Sequence, residues 1–322
     1  MSAGVSRELR PCCDGLVVRA APGAGTRVGV RVLLVITDED WYEDAGYAAA
    51  WVRALEEQGA EVERLARVPD DWPVAGPPAG RWDLAIAHVL VEEVVAYAPT
   101  FALATLLEAA GVPLLNPVTS LVASADKLVT HAVWAAAGVP QPAAWDLARV
   151  QEWPLPGRRM VLKPSLGDGA RYVELVGDLD AARAVEASWR EDEAAGGHRR
   201  GASLLQEWIA EPACARVFAT PTGTSLVYEK SREEGALVTH GTVYPRVYEA
   251  PPEMAQLAQR MVAALGGGLM GVDVLVEPGG RLVALEANAP FGFDVTDPEQ
   301  GRWVARAALD VARRAAGRRA AA

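Results

Sequence analysis

The chain has 322 residues, of which 51% are hydrophobic and 23% are charged, and its net charge at pH 7 is −11. These values are typical of a globular protein with more than one domain. The negative charge argues against a nucleic acid partner, because binding to a phosphate backbone depends on Lys and Arg. With three cysteines, the chain has too few for a disulfide framework or a four-cysteine metal site. No stretch has the pattern of a membrane span or a signal peptide, so we expect no membrane association and a cytoplasmic location.

The first 29 residues mix Gly, Pro, Arg and Ser without any periodicity. Gly23, Gly25 and Gly29 partly match the spacing of a dinucleotide-binding turn, but they precede the first predicted strand, whereas such a turn follows one. We therefore predict that residues 1–29 form a flexible N-terminal tail.

Residues 30–118 alternate between strand and helix patterns. Apolar, β-branched runs predict strands, and stretches with helical spacing that end at a Gly predict helices. The predicted strands are Arg31–Thr37, Ala60–Val68, Trp82–Val89 and Val112–Asn116, and the predicted helices are Tyr47–Gly59 and Pro99–Ala110. This alternation predicts an open α/β domain.

The rest of the chain has the pattern of two α+β units. Apolar residues at helical spacing from Leu121 to Ala132 predict one helix, which Gly138 ends. In the first unit, 119–205, the predicted strands Met160–Pro164, Tyr172–Val176 and Ser203–Ile209 surround a helix at 178–195. In the second unit, 206–322, we predict antiparallel strands at 216–219, 225–230 and 236–248, helices at 253–265 and 297–314, and a hairpin formed by 271–276 and 281–288.

A lysine stands at the end of a predicted strand, in front of a glycine-rich turn. Lys163 and Pro164 are followed by Ser165, Gly167 and Gly169. Glycines let backbone N–H groups approach phosphate oxygens, and a lysine adds positive charge beside them. The alternative is a surface lysine before an ordinary loop.

The predicted hairpin carries three oxygen-bearing side chains. If the hairpin loop has an even number of residues, with Val276 paired with Arg281, Asp273 lies opposite Ala284. Glu286 is then the diagonal neighbour of Asp273, with roughly 7 Å between their Cα atoms. Glu286 and Asn288 then share the face of Asp273, and Leu285 and Ala287 point into the core. The remaining hairpin residues in this stretch are apolar and offer no positive group, so we expect magnesium between the two carboxylates. A solvated strand face is the alternative.

Four motifs occur in an order and spacing that resemble the ATP-grasp superfamily. They are Val-Leu-Lys163-Pro with its glycine-rich turn, Gln206-Glu-Trp-Ile209, Gly-Val-Asp273 and Leu-Glu286-Ala-Asn288. Within the superfamily, Asn116-Pro, Ser124-Ala-Asp126-Lys127 and Gly138-Val-Pro140 are most similar to ligases that add glutamate to ribosomal protein or amino acids to carrier proteins. The resemblance implies an α/β and α+β chain with the ATP-grasp fold, in which an open α/β domain precedes two α+β subdomains that sandwich ATP.

The resemblance also implies a role for individual residues. ATP would be held by Lys127, Lys163, Ser165, Gly167, Gly169, Gln206, Glu207, Trp208 and Ile209. Two magnesium ions, which manganese could replace, would be held by Asp273, Glu286 and Asn288. Arg216 and Lys230 would be catalytic and stabilise negative charge on the reacting groups.

The implied activity is the ATP-dependent joining of a small-molecule carboxylate, such as an amino acid, to an amine. An acyl phosphate is the intermediate, and ADP and phosphate are released. Cys214 and Lys230 depart from the family pattern near the acceptor side, as does His240. The acceptor therefore stays open between a small amine and a protein or carrier peptide, and a non-catalytic ATP-binding protein is a further alternative. The sequence also leaves open whether the protein forms a homodimer, and whether the acidic loop Asp38–Asp44 attracts a cationic amine or is solvated.

The predicted tail can be tested by truncation. Deleting residues 1–28 should leave the melting temperature and the ATP turnover nearly unchanged, because an aperiodic tail contributes little to a core. Thermal melts and ADP release from the full and truncated chains measure both quantities. A folded truncation that has lost most of its activity would show that the tail contributes to the site or to an interface.

Overall fold

The computed structural model describes residues 29–36, 46–65, 80–167, 172–197, 200–231, 244 and 246–321. The predicted tail up to residue 28 and the acidic loop Asp38–Asp44 lie outside these residues. So do Gly169, His240 and parts of the predicted strands 60–68 and 236–248. No helix in the described ranges is long and apolar enough to cross a membrane.

The N-terminal part is a parallel four-stranded sheet in the order β2-β1-β3-β4. Its strands are β1 (Arg31–Val35), β2 (Glu61–Leu65), β3 (Leu84–Ala87) and β4 (Leu114–Leu115), and its helices are α1 (Tyr47–Glu56), α2 (Val91–Ala96) and α3 (Pro99–Ala109). Alternate residues of β1 enter two different cores: Leu33 packs in the same core as Leu107, and Leu34 in the same core as Trp51. Helices therefore cover both faces, as the predicted open α/β domain requires.

The single helix predicted after Leu121 is wrong, because the structure has two: α4 (Val118–Ala125) and α5 (Lys127–Ala136). Asp126 lies between them in an extended conformation. Its carboxylate accepts hydrogen bonds from the N–H groups of Leu128 at 2.8 Å and Val129 at 3.3 Å, and so caps α5. Apolar spacing continues across the break, which is why periodicity alone did not predict it.

The central part is an antiparallel sheet in the order β5-β8-β6-β7. Its strands are β5 (Ala144–Asp146), β6 (Met160–Pro164), β7 (Glu174–Val176) and β8 (Ser203–Glu207), and its helix is α6 (Leu179–Ala194). Leu162 and Leu205 pack with Trp189 of α6 on one face, which leaves Lys163 and Gln206 on the other. The short β5 was not predicted, and the predicted limits 119–205 and 206–322 stay a prediction.

The C-terminal part is a five-stranded antiparallel sheet in the order β11-β10-β9-β12-β13. Its strands are β9 (Ala213–Thr220), β10 (Gly223–Lys230), β11 (Arg246–Tyr248), β12 (Met270–Val276) and β13 (Leu282–Asn288), and its helices are α7 (Pro252–Ala264) and α8 (Pro298–Ala321). Val217, Val272 and Ala287 pack with Met261 of α7 in one core. The opposite face of the sheet is free to carry polar groups.

The predicted register of the β12–β13 hairpin is wrong. Val276 pairs with Leu282, and Val274 pairs with Ala284, but Asp273 pairs directly with Glu286. The register shifts between Asp273 and Val274, as in a β-bulge. The shift accommodates Leu285 as an extra residue and makes the two acids direct partners instead of diagonal neighbours.

An aromatic cluster joins the N-terminal part to the loop after β13. Tyr47 packs against Phe293 with 5.0 Å between ring centroids, and Trp51 packs edge-on against Phe293 at 5.5 Å. The hydroxyl of Tyr47 donates a hydrogen bond to the carbonyl oxygen of Phe291 at 2.5 Å. These residues are buried, and their contacts hold α1 against the loop that follows Asn288.

Gly268, just before β12, lies against Asn116. Its φ angle is +97°, and a Cβ atom there would lie 2.1 Å from the Asn116 side-chain oxygen. That oxygen accepts a hydrogen bond from the N–H of Leu269 at 2.6 Å. Only glycine combines this φ angle with so close an approach.

We predict that Gly268→Ala lowers the melting temperature much more than Gly279→Ala. Gly279 has a similar φ of +105° but no neighbouring heavy atom within 4 Å, so that variant carries only the backbone strain of about 1–3 kcal/mol. Gly268→Ala adds a clash with a buried, hydrogen-bonded amide. Thermal melts compare the two variants, and equal melting temperatures would contradict the packing described for Gly268.

Candidate active site

The face of the five-stranded sheet opposite α7 carries a row of charged side chains. Arg216 on β9 pairs with Asp273 on β12, which pairs with Glu286 on β13. Directly opposed residues of adjacent strands point to the same face. Arg216 donates from Nε to Asp273 Oδ1 at 2.5 Å and from Nη2 to Oδ2 at 2.8 Å, and Lys230 Nζ donates to Oδ2 at 3.1 Å. Asp273 thus binds two cations at once.

These contacts determine the ionisation of the row. Burial alone would raise the pKa of Asp273, but Arg216 and then Lys230 overcome it and lower the pKa to about 2. Burial likewise works against the charge of Arg216, yet Asp273 raises the pKa of Arg216 above its usual value. The residues are therefore a fully charged cluster in a site where Asp273 is only 2% exposed.

The expectation that the two acids lack a positive neighbour is wrong. The apolar hairpin offers none, but β9 and β10 supply Arg216 and Lys230, and α5 supplies Lys127, whose Nζ lies 3.5 Å from Glu286 Oε1. The prediction failed because these cations come from segments distant in sequence. Electrostatic repulsion between the acids is therefore no argument for a metal, and a metal site must be judged on its donor atoms.

The donor atoms suit magnesium bound together with phosphate. Asp273 and Glu286 are direct partners, and Asn288 follows two residues later on the same strand face. The Asn288 amide nitrogen faces the carbonyl oxygen of Gly271 at 3.4 Å, and the Glu286 side chain is 32% exposed. In the part of the chain that is described, no cluster has three or more His, Cys, Asp or Glu. Two carboxylates and an amide resemble the sparse ligand sets that magnesium completes with water and phosphate oxygens.

The two predicted lysines come from different elements, α5 and β6. Lys127 begins α5, and its Nζ also donates to the carbonyl oxygen of Gly167 at 2.6 Å. Lys163 lies on β6 and is 8% exposed. Burial lowers the pKa of Lys163 to about 8, with Glu286 raising it and Lys127 lowering it further. Lys163 thus remains largely protonated at neutral pH.

The turn after β6 is tied to the start of α5. Ser165 is fully buried; its hydroxyl donates to Asp126 Oδ2 at 3.1 Å and accepts from the N–H of Ala202 at 3.1 Å. The carbonyl oxygen of Ser165 accepts from the N–H of Lys127 at 2.8 Å. The Ser165 side chain therefore holds the turn in place. Gly167 has a φ of +125°, and its carbonyl oxygen accepts the hydrogen bond from Lys127.

The predicted adenine-binding segment lies at the end of β8. Gln206 is 2% exposed, and its amide nitrogen has no hydrogen-bond partner among the described residues. The side chain of Glu207 binds Arg158 at 2.9 Å, and the ring of Trp208 lies under the guanidinium group of Arg159 at 4.7 Å. The side chains of Glu207 and Trp208 are thus engaged elsewhere, and the backbone N–H of Glu207 donates to the carbonyl oxygen of Ala143 at 2.8 Å.

Ile209 continues this segment into a small apolar cluster on the charged face. The cluster consists of Cys214, Leu275, Val283, Ile209 and Leu285. The prediction that Leu285 points into the main core is wrong, because the bulge turns it to this face. Ala287 does point into the core, as predicted. The sheet face thus presents an apolar patch beside the charged row.

Three residues that the sequence analysis did not assign also shape the site. Asp126 binds Ser165 and caps α5, and its position before a helical run is a recognisable N-cap signal. His131 Nδ1 lies 2.7 Å from Gln141 Oε1, and Gln141 Nε2 donates to the His131 carbonyl oxygen at 2.8 Å. No sequence signal marks the His131–Gln141 pair, because the partners lie on opposite sides of the Gly138 turn.

In the absence of nucleotide, we predict a large loss of folding stability for one variant of the charged row and a small loss for another. Asp273→Asn leaves Arg216 and Lys230 without their buried counter-charge and should cost about 3–5 kcal/mol. Glu286→Gln removes one loose, partly exposed ion pair, which is worth about 1 kcal/mol or less. Chemical denaturation of both variants measures the difference in free energy of unfolding. A larger loss for Glu286→Gln would contradict the arrangement of the row.

Comparison with known proteins places this geometry in a family. Residues 124–292 match the family described as ATP-grasp domain, which is more than half of the chain. The ATP-grasp ligase PsnB complexed with minimal precursor, Mg and ADP has a TM-score of 0.61 at 16% identity, over 89% of this chain and 100% of PsnB.

Two further solved structures have the same fold. The RimK domain ATP-grasp protein from Sphaerobacter thermophilus has a TM-score of 0.56 at 21% identity, over 87% of this chain and 100% of that one. The D-alanine–D-alanine ligase from Bacillus anthracis complexed with ATP has a TM-score of 0.61 at 14% identity, over 89% and 98%. The chain has the ATP-grasp fold of α/β and α+β units, as predicted, and it belongs to the ATP-grasp domain family.

Proposed function

We propose that the protein is an ATP-dependent ligase that joins a carboxylate to an amine through an acyl phosphate and releases ADP and phosphate. The charged row of Arg216, Asp273 and Glu286, with Lys127 close to Glu286, carries this proposal. It combines oxygen donors for a divalent cation with cations for phosphate oxygens on one rigid sheet face.

The nucleotide would lie between the central sheet and the five-stranded sheet. Its base fits at the apolar patch around Ile209, where the backbone of Glu207 to Ile209 and the unpartnered amide of Gln206 offer hydrogen bonds. Its phosphates fit beside Lys127, Lys163 and Gly167. Magnesium on Asp273, Glu286 and Asn288 would supply further charge neutralisation on the phosphate oxygens.

The chemistry then has two steps. A carboxylate oxygen of the first substrate attacks the γ-phosphorus of ATP, the bond to the β-phosphate oxygen breaks, and ADP leaves. The amine of the second substrate attacks the acyl carbon, a proton leaves the nitrogen, and phosphate departs with the electron pair of the C–O bond. Arg216 and Lys230 lie where they can stabilise negative charge on the transferred phosphoryl group and on the oxyanion of the tetrahedral intermediate.

The substrates would be small molecules, with amino acids as the first class to examine. Tyr47 of the aromatic cluster also packs against His88, which follows β3 at the carboxyl end of the parallel sheet, where open α/β sheets bind ligands. We therefore propose that the acceptor binds beside this cluster and is a small amine in preference to a long peptide. We propose 30–118, 119–205 and 206–322 as the limits of the three folded units, with the acceptor site between the first and the third.

The proposal is tested by incubating the protein with ATP, magnesium and pools of amino acids. We expect ADP, phosphate and a product whose mass equals an acid plus an amine minus water. AMP and pyrophosphate formed in a substrate-dependent reaction would overturn the acyl-phosphate route. Binding of ATP without turnover in any pool, including pools of peptides, would favour a non-catalytic protein.

Within this reaction, Glu286→Gln should lower the rate of ADP release by about a hundredfold or more, because it removes one charged stabiliser of the phosphate groups. Glu277→Gln is the matched control: Glu277 belongs to the same hairpin but binds Arg281 at 2.9 Å, whereas Glu286 lies beside Lys127. The control should retain the wild-type rate. Full turnover by Glu286→Gln would remove Glu286 from the chemistry.

A further inference from the structure

Arg200 is a buried arginine that the reaction described above does not use. It lies just before β8 and is 4% exposed. Its Nη1 donates to the carbonyl oxygen of Trp189 at 2.8 Å, and its Nη2 donates to the carboxylate of Asp192, both on α6. Its Nε is also buried and has no partner among the described residues. A buried cation with an unsatisfied donor adds little net stability, so its position calls for another explanation.

The backbone beside Arg200 supports the turn after β6, Ser165–Gly167. The carbonyl oxygen of Arg200 accepts a hydrogen bond from the N–H of Leu166 at 3.0 Å, and that of Ala202 accepts from the N–H of Ser165 at 2.7 Å. These two bonds extend the antiparallel pairing of β6 with β8. The short segment before β8 therefore holds the turn in place.

Gly201 brings this segment into close contact with the turn. Its φ angle is +68°, and a Cβ atom there would lie 2.6 Å from Ser165 Oγ and 2.8 Å from Leu166 Cγ. Because the two segments fit so closely, a shift of Arg200 would also move Ser165. The carbonyl oxygen of Ser165 accepts from the N–H of Lys127 at 2.8 Å, so the displacement would reach the proposed phosphate site.

The guanidinium group of Arg200 contacts a second part of the chain, Tyr172. Its Cζ lies 4.0 Å from the centroid of the Tyr172 ring, which is within the range of a cation–π interaction. Tyr172 has a φ angle of +59°, which is unfavourable for a large side chain and persists only where neighbouring contacts enforce it. Arg200 therefore binds the chain at two points, Leu166 through its carbonyl group and Tyr172 through its guanidinium group.

We propose that Arg200 is a positioning residue for the nucleotide phosphates. By fixing Ser165–Gly167, it holds in place the carbonyl oxygen of Gly167, which accepts the hydrogen bond from Lys127 Nζ. A turn that already has its binding geometry loses less entropy when a polyphosphate binds beside it, so binding is tighter. The inference rests on the proposed ATP site, and it adds an arginine–tyrosine pair outside the charged row.

Four substitutions separate this role from general packing. Arg200→Met removes the charge and its hydrogen bonds but fills much of the same space. Tyr172→Leu removes the aromatic ring, whereas Tyr172→Phe keeps the ring face under the guanidinium group. Arg81→Met is the matched control, because Arg81 lies over the ring of Trp82 at 5.1 Å and binds Glu63 at 2.8 Å in the N-terminal part.

The experiment is isothermal titration of the wild type and the variants with a non-hydrolysable ATP analogue plus magnesium, and with adenosine. We expect Arg200→Met to bind the analogue about tenfold more weakly, because it loses both the ring contact and the charged hydrogen bonds. Tyr172→Leu loses the ring contact alone and should bind the analogue about threefold to fivefold more weakly. Tyr172→Phe and Arg81→Met should stay within about twofold of the wild type.

Adenosine binding should stay within about twofold of the wild type in all four variants, because adenosine carries no phosphate. Its base would lie at the far end of β8, beyond Glu207, whereas Arg200 precedes the start of that strand. A general loss of packing in the central part would weaken both ligands, so the ratio of the two affinities separates positioning from structural damage.

Several results would overturn the inference. It fails if Arg200→Met or Tyr172→Leu is folded and binds the analogue like the wild type, if adenosine binding falls in the same proportion, or if Tyr172→Phe loses as much as Tyr172→Leu. Melts without nucleotide establish folding. If Arg200→Met is unfolded, the comparison of Tyr172→Leu with Tyr172→Phe decides, since the Tyr172 side chain is 38% exposed. A wild type that does not bind the analogue overturns the proposed function itself, which distinguishes the two failures.

Discussion

The salt bridge of Asp273 with Arg216 and Lys230 constrains the architecture of the whole C-terminal part. A carboxylate that is 2% exposed is unfavourable unless charged partners compensate for its lost hydration. The partners come from β9 and β10, and Asp273 comes from β12, so compensation depends on the strand order β10-β9-β12. The hydrophobic face of the same sheet packs against α7, and the charged face adds the bonds between Asp273 on β12 and its partners on β9 and β10.

The chemical character of the same sheet face changes from one end of its strands to the other. The apolar patch around Ile209 lies at one end, the charged row lies in the middle, and Phe218, Tyr228 and the aromatic cluster lie at the end towards the N-terminal sheet. A nucleotide has a corresponding polarity from base to phosphates, and the reacting substrates must lie beyond the terminal phosphate. The order of surface chemistry along β9 and β12 therefore agrees with one direction of binding.

The sequence predicted the elements better than it predicted the relations between them. The open α/β part, the central unit and the hairpin were all predicted, because periodicity and turn residues are local signals. The register of β12 and β13 was wrong for two reasons: the loop leaves an odd number of residues between Val276 and its partner Leu282, and a bulge at Leu285 has no local signature. The split at Asp126 was hidden by continuous apolar spacing. Arg216 was assigned individually, but its alignment with Asp273 depends on strand pairing across 57 residues. The His131–Gln141 pair arises only from tertiary packing.

The balance of charge in the site is opposite to that of the whole chain. Lys127, Lys163, Arg216 and Lys230 face two carboxylates, Asp273 and Glu286, so the cations exceed the acids by two, and His131 is neutral. The chain as a whole carries a net charge of −11. A local excess of positive charge on a negative protein attracts anions to one place and repels them elsewhere. Arg216 and Lys230 share their positive charge with Asp273, so Lys127 and Lys163 add positive charge that is not bound to that carboxylate.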